Sequence, residues 1–238
     1  MNDKFLPIKL PSRCLTYDVQ PEEIRVRPYT GGDEVFLAEI NIVNCNVKFR
    51  EVLRRVVQGI DPGELTFGDK LYLMVWEYIN SYTEMIYEMD VCSHCMKTVS
   101  FPVDLREMDF TAFPEDMVLP LPISITNEET LYIKVLTLDD EIQIEKYSQI
   151  HPDGFLYKLA LQLVDEKKDV LARMEYLRDS SAKVTAKVRA AAQSLYHGPS
   201  FQYTGKCPNC GEEDTIEVPF RFEFLFPTGE ILTKAFGA

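Results

Sequence analysis

The chain has 238 residues, with 25 Lys and Arg against 38 Asp and Glu for a formal charge of −13. Apolar residues make up 46%, including 14 Phe and 12 Tyr, enough to bury a core and to exclude bulk disorder. So acidic a chain is a poor match for nucleic acid or for anionic membranes.

Residues 1–21 hold three prolines and read as an ordered, extended arm. The opening "MNDKFLPIKLPSRC" has an acid and prolines where a signal peptide needs an apolar run, and no stretch reaches the ~18–20 apolar residues of a membrane span. The expectation is a protein made and kept in a cytoplasm. A strand is predicted at 22–29, helices at 31–43 and 46–58, a turn at "DPG" 61–63, and a helix at 66–82. In that last helix Leu71, Val75, Tyr78, Ile79 and Tyr82 share the core face. Further on, "MVLPLPISI" and "ETLYIKVLTL" predict a hairpin, followed by helices near 139–150 and 153–178. The segment after it, "RDSSAKVTAKVRAAAQSLY", opens on Asp179 or Ser180 as a helix cap and carries Arg178, Lys183, Lys187 and Arg189. Two readings stand for it: a solvated face, or a docking surface for an acidic partner.

Two Cys-x-x-Cys pairs carry the chemistry. Cys92 and Cys95 lie in "VCSHCMK", Cys207 and Cys210 in "KCPNCGEE", and strand-like sequence flanks both. One tight turn aims two thiolates at one metal ion, and two such turns fill the tetrahedron of a structural Zn²⁺. In a reducing compartment metal is favoured over disulfides. A redox pair needs a thioredoxin-like βαβ setting that neither motif has; unrelated pairs are the bland alternative. His94 and His197 are bystanders once four cysteines are counted. A closed all-thiolate site leaves no vacant position, so the zinc is read as structural.

The halves of the chain resemble each other. "IRVRPYTGGDEVFL" at 24–37 aligns with "LYIKVLTLDDEIQI" at 131–144 at an offset of 107, matching Thr30 with Thr137, Asp33 with Asp140 and Glu34 with Glu141. Each Thr-x-x-Asp-Glu is a helix start of the capping-box kind. The cysteine pairs repeat at an offset of 115, and "LPS" at 10–12 is partly echoed by "LPI" at 121–123. The predicted fold is α+β: zinc-ribbon-like strands plus helices in two tandem-duplicated halves, 1–110 and 111–238, forming one compact unit around a shared four-cysteine zinc site. The competing reading is a simple zinc ribbon with a long helical insertion.

No phosphate loop, nucleophile elbow or His-Glu-x-x-His is present, the three histidines are scattered, and no carboxylate pair stands out, so an enzyme is not expected. Cys14 and Cys45 read as small buried apolar residues.

The ordered set "LPSRCLTY" at 10–17, "IRVRPYTGGDE" at 24–34, "LTFGDKLYLMVWEYINSYTEMIY" at 65–87, "VCSHC", and "CPNCGEEDTIEVPFRFEF" with its Phe-rich end resembles the T4-type bacteriophage baseplate protein family. Departures are Cys14 and Thr83 where small residues are usual, and "CSHC" for a "CPxC" knuckle. The resemblance implies a non-enzymatic structural or assembly protein of the tail baseplate hub. It would bind other tail proteins and be found in the host cytoplasm during assembly and in the virion tail. A zinc-ribbon adaptor for nucleic acid or transcription is the alternative.

Overall fold

A computed structural model describes residues 4–41 and 44–219, with Pro227 and Thr233. The Phe-rich stretch at 220–226 lies outside the described residues.

Helix starts follow the caps that the sequence advertises. The Thr30 amide donates to Asp33 at 2.9 Å and opens α1 (Gly31–Leu37); the Thr137 amide donates to Asp140 at 3.1 Å and opens α4 (Leu138–Ser148). Around these starts the first half builds β1 (Leu6–Pro7), β2 (Arg25–Val26), α2 (Cys45–Val56), β3 (Val57–Gln58) and α3 (Phe67–Ser81). A hairpin follows, β4 (Met85–Val91) and β5 (Thr98–Asp104), then the short β6 (Phe110–Thr111). The second half builds β7 (Leu121–Ser124), β8 (Thr130–Ile133), α5 (Gly154–Gln162), α6 (Val170–Asp179), α7 (Ala182–Ser194), β9 (Gly198–Pro199) and a second hairpin of β10 (Gln202–Lys206) and β11 (Glu213–Glu217). The architecture is α+β, helices with small antiparallel sheets.

Several predicted elements differ. The strand at 22–29 is only two residues of β2, preceded by a 3-10 turn at Pro21–Glu23. The helix at 31–43 stops at Leu37, and residues 42–43 are outside the described set. The helix at 153–178 is two helices. Leu163 leaves α5 to pair with Ile133, and Asp169 then accepts the Ala172 amide at 2.8 Å to start α6.

The halves make the same local contacts. Val26 pairs with Val57, and Ile133 with Leu163. The amide of Arg27 donates to Val56, that of Lys134 to Gln162. Arg27 and Lys134 each grip the capping aspartate, Asp33 or Asp140, at 2.7 Å. The preceding strands correspond as Leu6-Pro7 with Leu121-Pro122, which corrects the echo placed at 10–12. α3 and α7 begin at the same distance before the first cysteine of the following pair, and among the described residues α6 has no counterpart α-helix between α2 and α3.

Three clusters of buried side chains hold the chain together. One gathers the arm, β2, α2 and α3 around Ile24, Phe49 and Leu73, and takes in Leu138 and Ile142 from α4. A second lies among α5, α6 and α7. The third joins Val75 and Tyr78 of α3 to Phe101 and Val103 of the first hairpin and Ile216 of the second. Backbone bonds also cross the halves, from Phe67 to Leu136 at 3.2 Å and from Leu138 to Leu65 at 2.8 Å. Among the described residues no helix is long and apolar enough to cross a membrane.

Candidate metal centre

Each knuckle is the turn of a hairpin. In the first, the Cys92 amide donates to Lys97 and the Met96 amide to Cys92; in the second, Cys207 donates to Glu212 and Gly211 to Cys207. Both turns need a left-handed residue at the same place: Gly211 at φ 80° in one, Met96 at φ 58° in the other. Glycine takes that conformation freely and methionine does not.

The third cluster sets the two turns face to face. The four sulfurs of Cys92, Cys95, Cys207 and Cys210 lie within 4.8 Å of one another. Cys92 and Cys210 are 3.8 Å apart, Cys95 and Cys207 3.9 Å. A tetrahedron with metal–sulfur bonds of about 2.3 Å has edges of about 3.8 Å. The donor set and its spacing therefore fit a thiolate-bound metal ion.

Neighbours supply the polar contacts such a site needs. Asn209 donates through its amide to Cys207 at 3.4 Å and through its side chain to Cys95 at 3.3 Å. The Lys97 amide, then Asn209 and the adjoining thiols, bring the Cys95 thiol down to about 7 against the cost of burial. Cys92 accepts the Cys95 amide, yet burial and the facing thiols push it up to about 12. A divalent cation would hold all four as thiolates. Asp214 of β11 accepts from the Ser93 amide at 2.7 Å and hydroxyl at 2.9 Å, tying one knuckle to the other; these bonds hold its carboxylate below the usual range. His94 contacts the Glu213 carbonyl at 2.9 Å. Asn209 and Asp214 escaped the sequence reading because nothing in their local pattern marks contacts with a knuckle over a hundred residues away.

The basic segment divides. Arg178 pairs with Asp153 at 2.7 Å, and Lys187 donates to the carbonyls of Ser124 and Ile125. Lys183 and Arg189 are exposed on α7.

A second polar cluster links the arm, α3 and the second half. Asp69 accepts from the Ser12 amide at 2.8 Å and the Tyr17 hydroxyl at 2.5 Å, and Tyr17 accepts the Thr66 amide. Thr66 Oγ1 meets His197 Nε2 at 2.6 Å, while Nδ1 faces the Leu195 carbonyl and so carries the proton. The hydroxyl and the Asp69 carboxylate approach the same ring nitrogen, and all three groups are buried. The cluster serves to lock "LPSRCLTY" onto "LTFGDK".

The family model described as T4 bacteriophage base plate protein matches residues 11–226. Comparison with curated proteins and with solved structures gives no match.

Proposed function

The chain belongs to the T4 bacteriophage base plate protein family, and from that premise we propose that it is a structural or assembly protein of the baseplate hub, stapled by one zinc ion. The observation that carries the zinc is the approach of four sulfurs from two hairpins on opposite halves of the chain. Cys92, Cys95, Cys207 and Cys210 would be its ligands. Bound there, zinc supplies a closed tetrahedral clamp with no open position for water, hence a structural and not a catalytic role. The clamp fixes how the halves sit, and so the surface offered to other tail proteins. The repeated contacts around Asp33 and Asp140 support descent of units 1–110 and 111–238 from one duplicated ancestor.

Glu212, Glu213 and Asp214 crowd the second knuckle, which favours a protein partner there over a phosphate backbone. Assembly would take place in the host cytoplasm, with the protein then carried in the tail. Metal analysis of the purified chain, with pull-down of co-expressed tail proteins by the parent and by Cys207→Ser, tests the proposal. One equivalent of zinc and a parent-only complex support it. A metal-free parent, or a variant that binds equally, refutes it.

A further inference from the structure

α2 and α5 occupy corresponding places in the two halves, as do α3 and α7. Counting back from the shared contact at Val56 and Gln162 matches Phe49 with Phe155; counting from the knuckles matches Leu71 with Ala186 and Met74 with Arg189. Three lining positions of one cleft thus recur in a second.

In the first half it is a space of about 350 Å³ lined by Phe49, Leu71 and Met74 and closed by Tyr196 and Phe201. Phe49 is 1% exposed. The helix laid beside it is α4, which buries Leu138 and Ile142 in the same core. Its carboxylates are met by base and amide: Asp139 by Arg50 at 2.9 Å, Glu141 by Lys70 at 2.6 Å, Glu145 by Asn46 at 2.5 Å. An acidic amphipathic helix thus packs against α2 and α3 at the edge of this cleft, which its own residues do not line.

In the second half the cleft is larger. It spans about 490 Å³, with Phe155, 55% exposed, beside the buried Leu159 and with Ala186 and Ala190 also in its lining. Its charged lining is Lys158 and Arg189, with no carboxylate among the described residues that line it. On a chain of net charge −13 this is a local basic patch beside an exposed aromatic ring. Arg189 lies 6.0 Å from the Phe155 ring centroid, within reach of a carboxylate entering over that ring.

We infer that the cleft between α5 and α7 receives an acidic amphipathic helix of another baseplate protein, as α2 and α3 receive α4. Carboxylates of that helix pair with Lys158 and Arg189, and an apolar residue of it covers Phe155. The inference rests on the baseplate reading, and the test separates the two. Phe155 is replaced by the photo-crosslinking residue benzoylphenylalanine, tails are assembled with the altered chain, and cross-linked peptides are identified by mass spectrometry. A cross-link to a carboxylate-rich amphipathic segment of another tail protein, cut at least tenfold by Lys158→Glu with Arg189→Glu in a chain of unchanged melting temperature, is the expected result. A cross-link to a second copy of this chain, to a basic or neutral segment, or to nothing while the chain is present in the tails overturns the inference. So does a cross-link that the charge reversals leave intact. Absence of the altered and the parent chain alike from both tails and tail-assembly intermediates overturns the baseplate reading itself.

Discussion

Breaking the cysteine cluster at one corner, by Cys207→Ser, would remove the proposed metal link between two turns that are adjacent only in the folded state. Cys207 is buried and its sulfur faces Cys95 at 3.9 Å, 112 positions earlier in the chain. Counted as a cross-link closing a loop of that length, a metal bound by the folded chain would stabilise it by about 4–5 kcal/mol at 25 °C. Each hairpin survives its loss, because Val75, Phe101, Val103, Ile216 and Val218 still pack in their cluster, while the seating of one knuckle against the other loosens. The loss should show as a lower melting temperature with a near-native far-UV spectrum. At about 2–4 °C per kcal/mol for a chain of this size, the variant should melt roughly 8–20 °C below the parent. Cys92→Ser should do the same. The double variant should be no worse than either single one, since the first substitution already opens the site. Differential scanning calorimetry on the four proteins, with metal content measured on each, checks this. Additive losses in the double variant, or a zinc-loaded parent melting with the single variants, would show that the cluster is no staple.

Asp33→Asn should cost about 3–5 kcal/mol at neutral pH, since it removes the buried carboxylate that pairs with both Arg27 and Arg55. Burial alone would raise the Asp33 carboxyl, but Arg27, Arg55 and Thr30 hold it well below the usual carboxylate range. Its contribution is thus present above the unfolded value near 4 and lost as pH falls through the lower folded value, so urea titrations should show parent and variant converging in acid. Met96→Gly should stabilise by about 1 kcal/mol, by relieving the left-handed backbone that Gly211 adopts freely in the other knuckle; an unchanged urea midpoint would refute this. Gly68→Ala should destabilise by about 2–4 kcal/mol, because the new methyl would meet the His197 carbonyl where α3 crosses β9; wild-type melting would contradict so close an approach.

The sequence by itself determined whatever is local or chemically particular. Cys-x-x-Cys states its geometry in four residues, and Thr-x-x-Asp-Glu caps a helix wherever it stands, so both knuckles and the starts of α1 and α4 were legible without a structure. The alternating strands flanking Cys92 and Cys207 were legible for the same reason. Tertiary structure decided what depends on a distant partner. Leu163 could have continued a helix, and leaves it because Ile133 offers a strand edge. Ser12 and Tyr17 look like ordinary loop residues until Asp69 and Thr66 are brought against them. Of four cations near one another in sequence, the fold engages Arg178 and Lys187 and places Arg189 beside Lys158, which no local pattern could choose. The physical reason is common to all of these. Backbone propensity and ligand spacing act over a few residues, whereas burial and charge pairing are settled only when segments many residues apart meet.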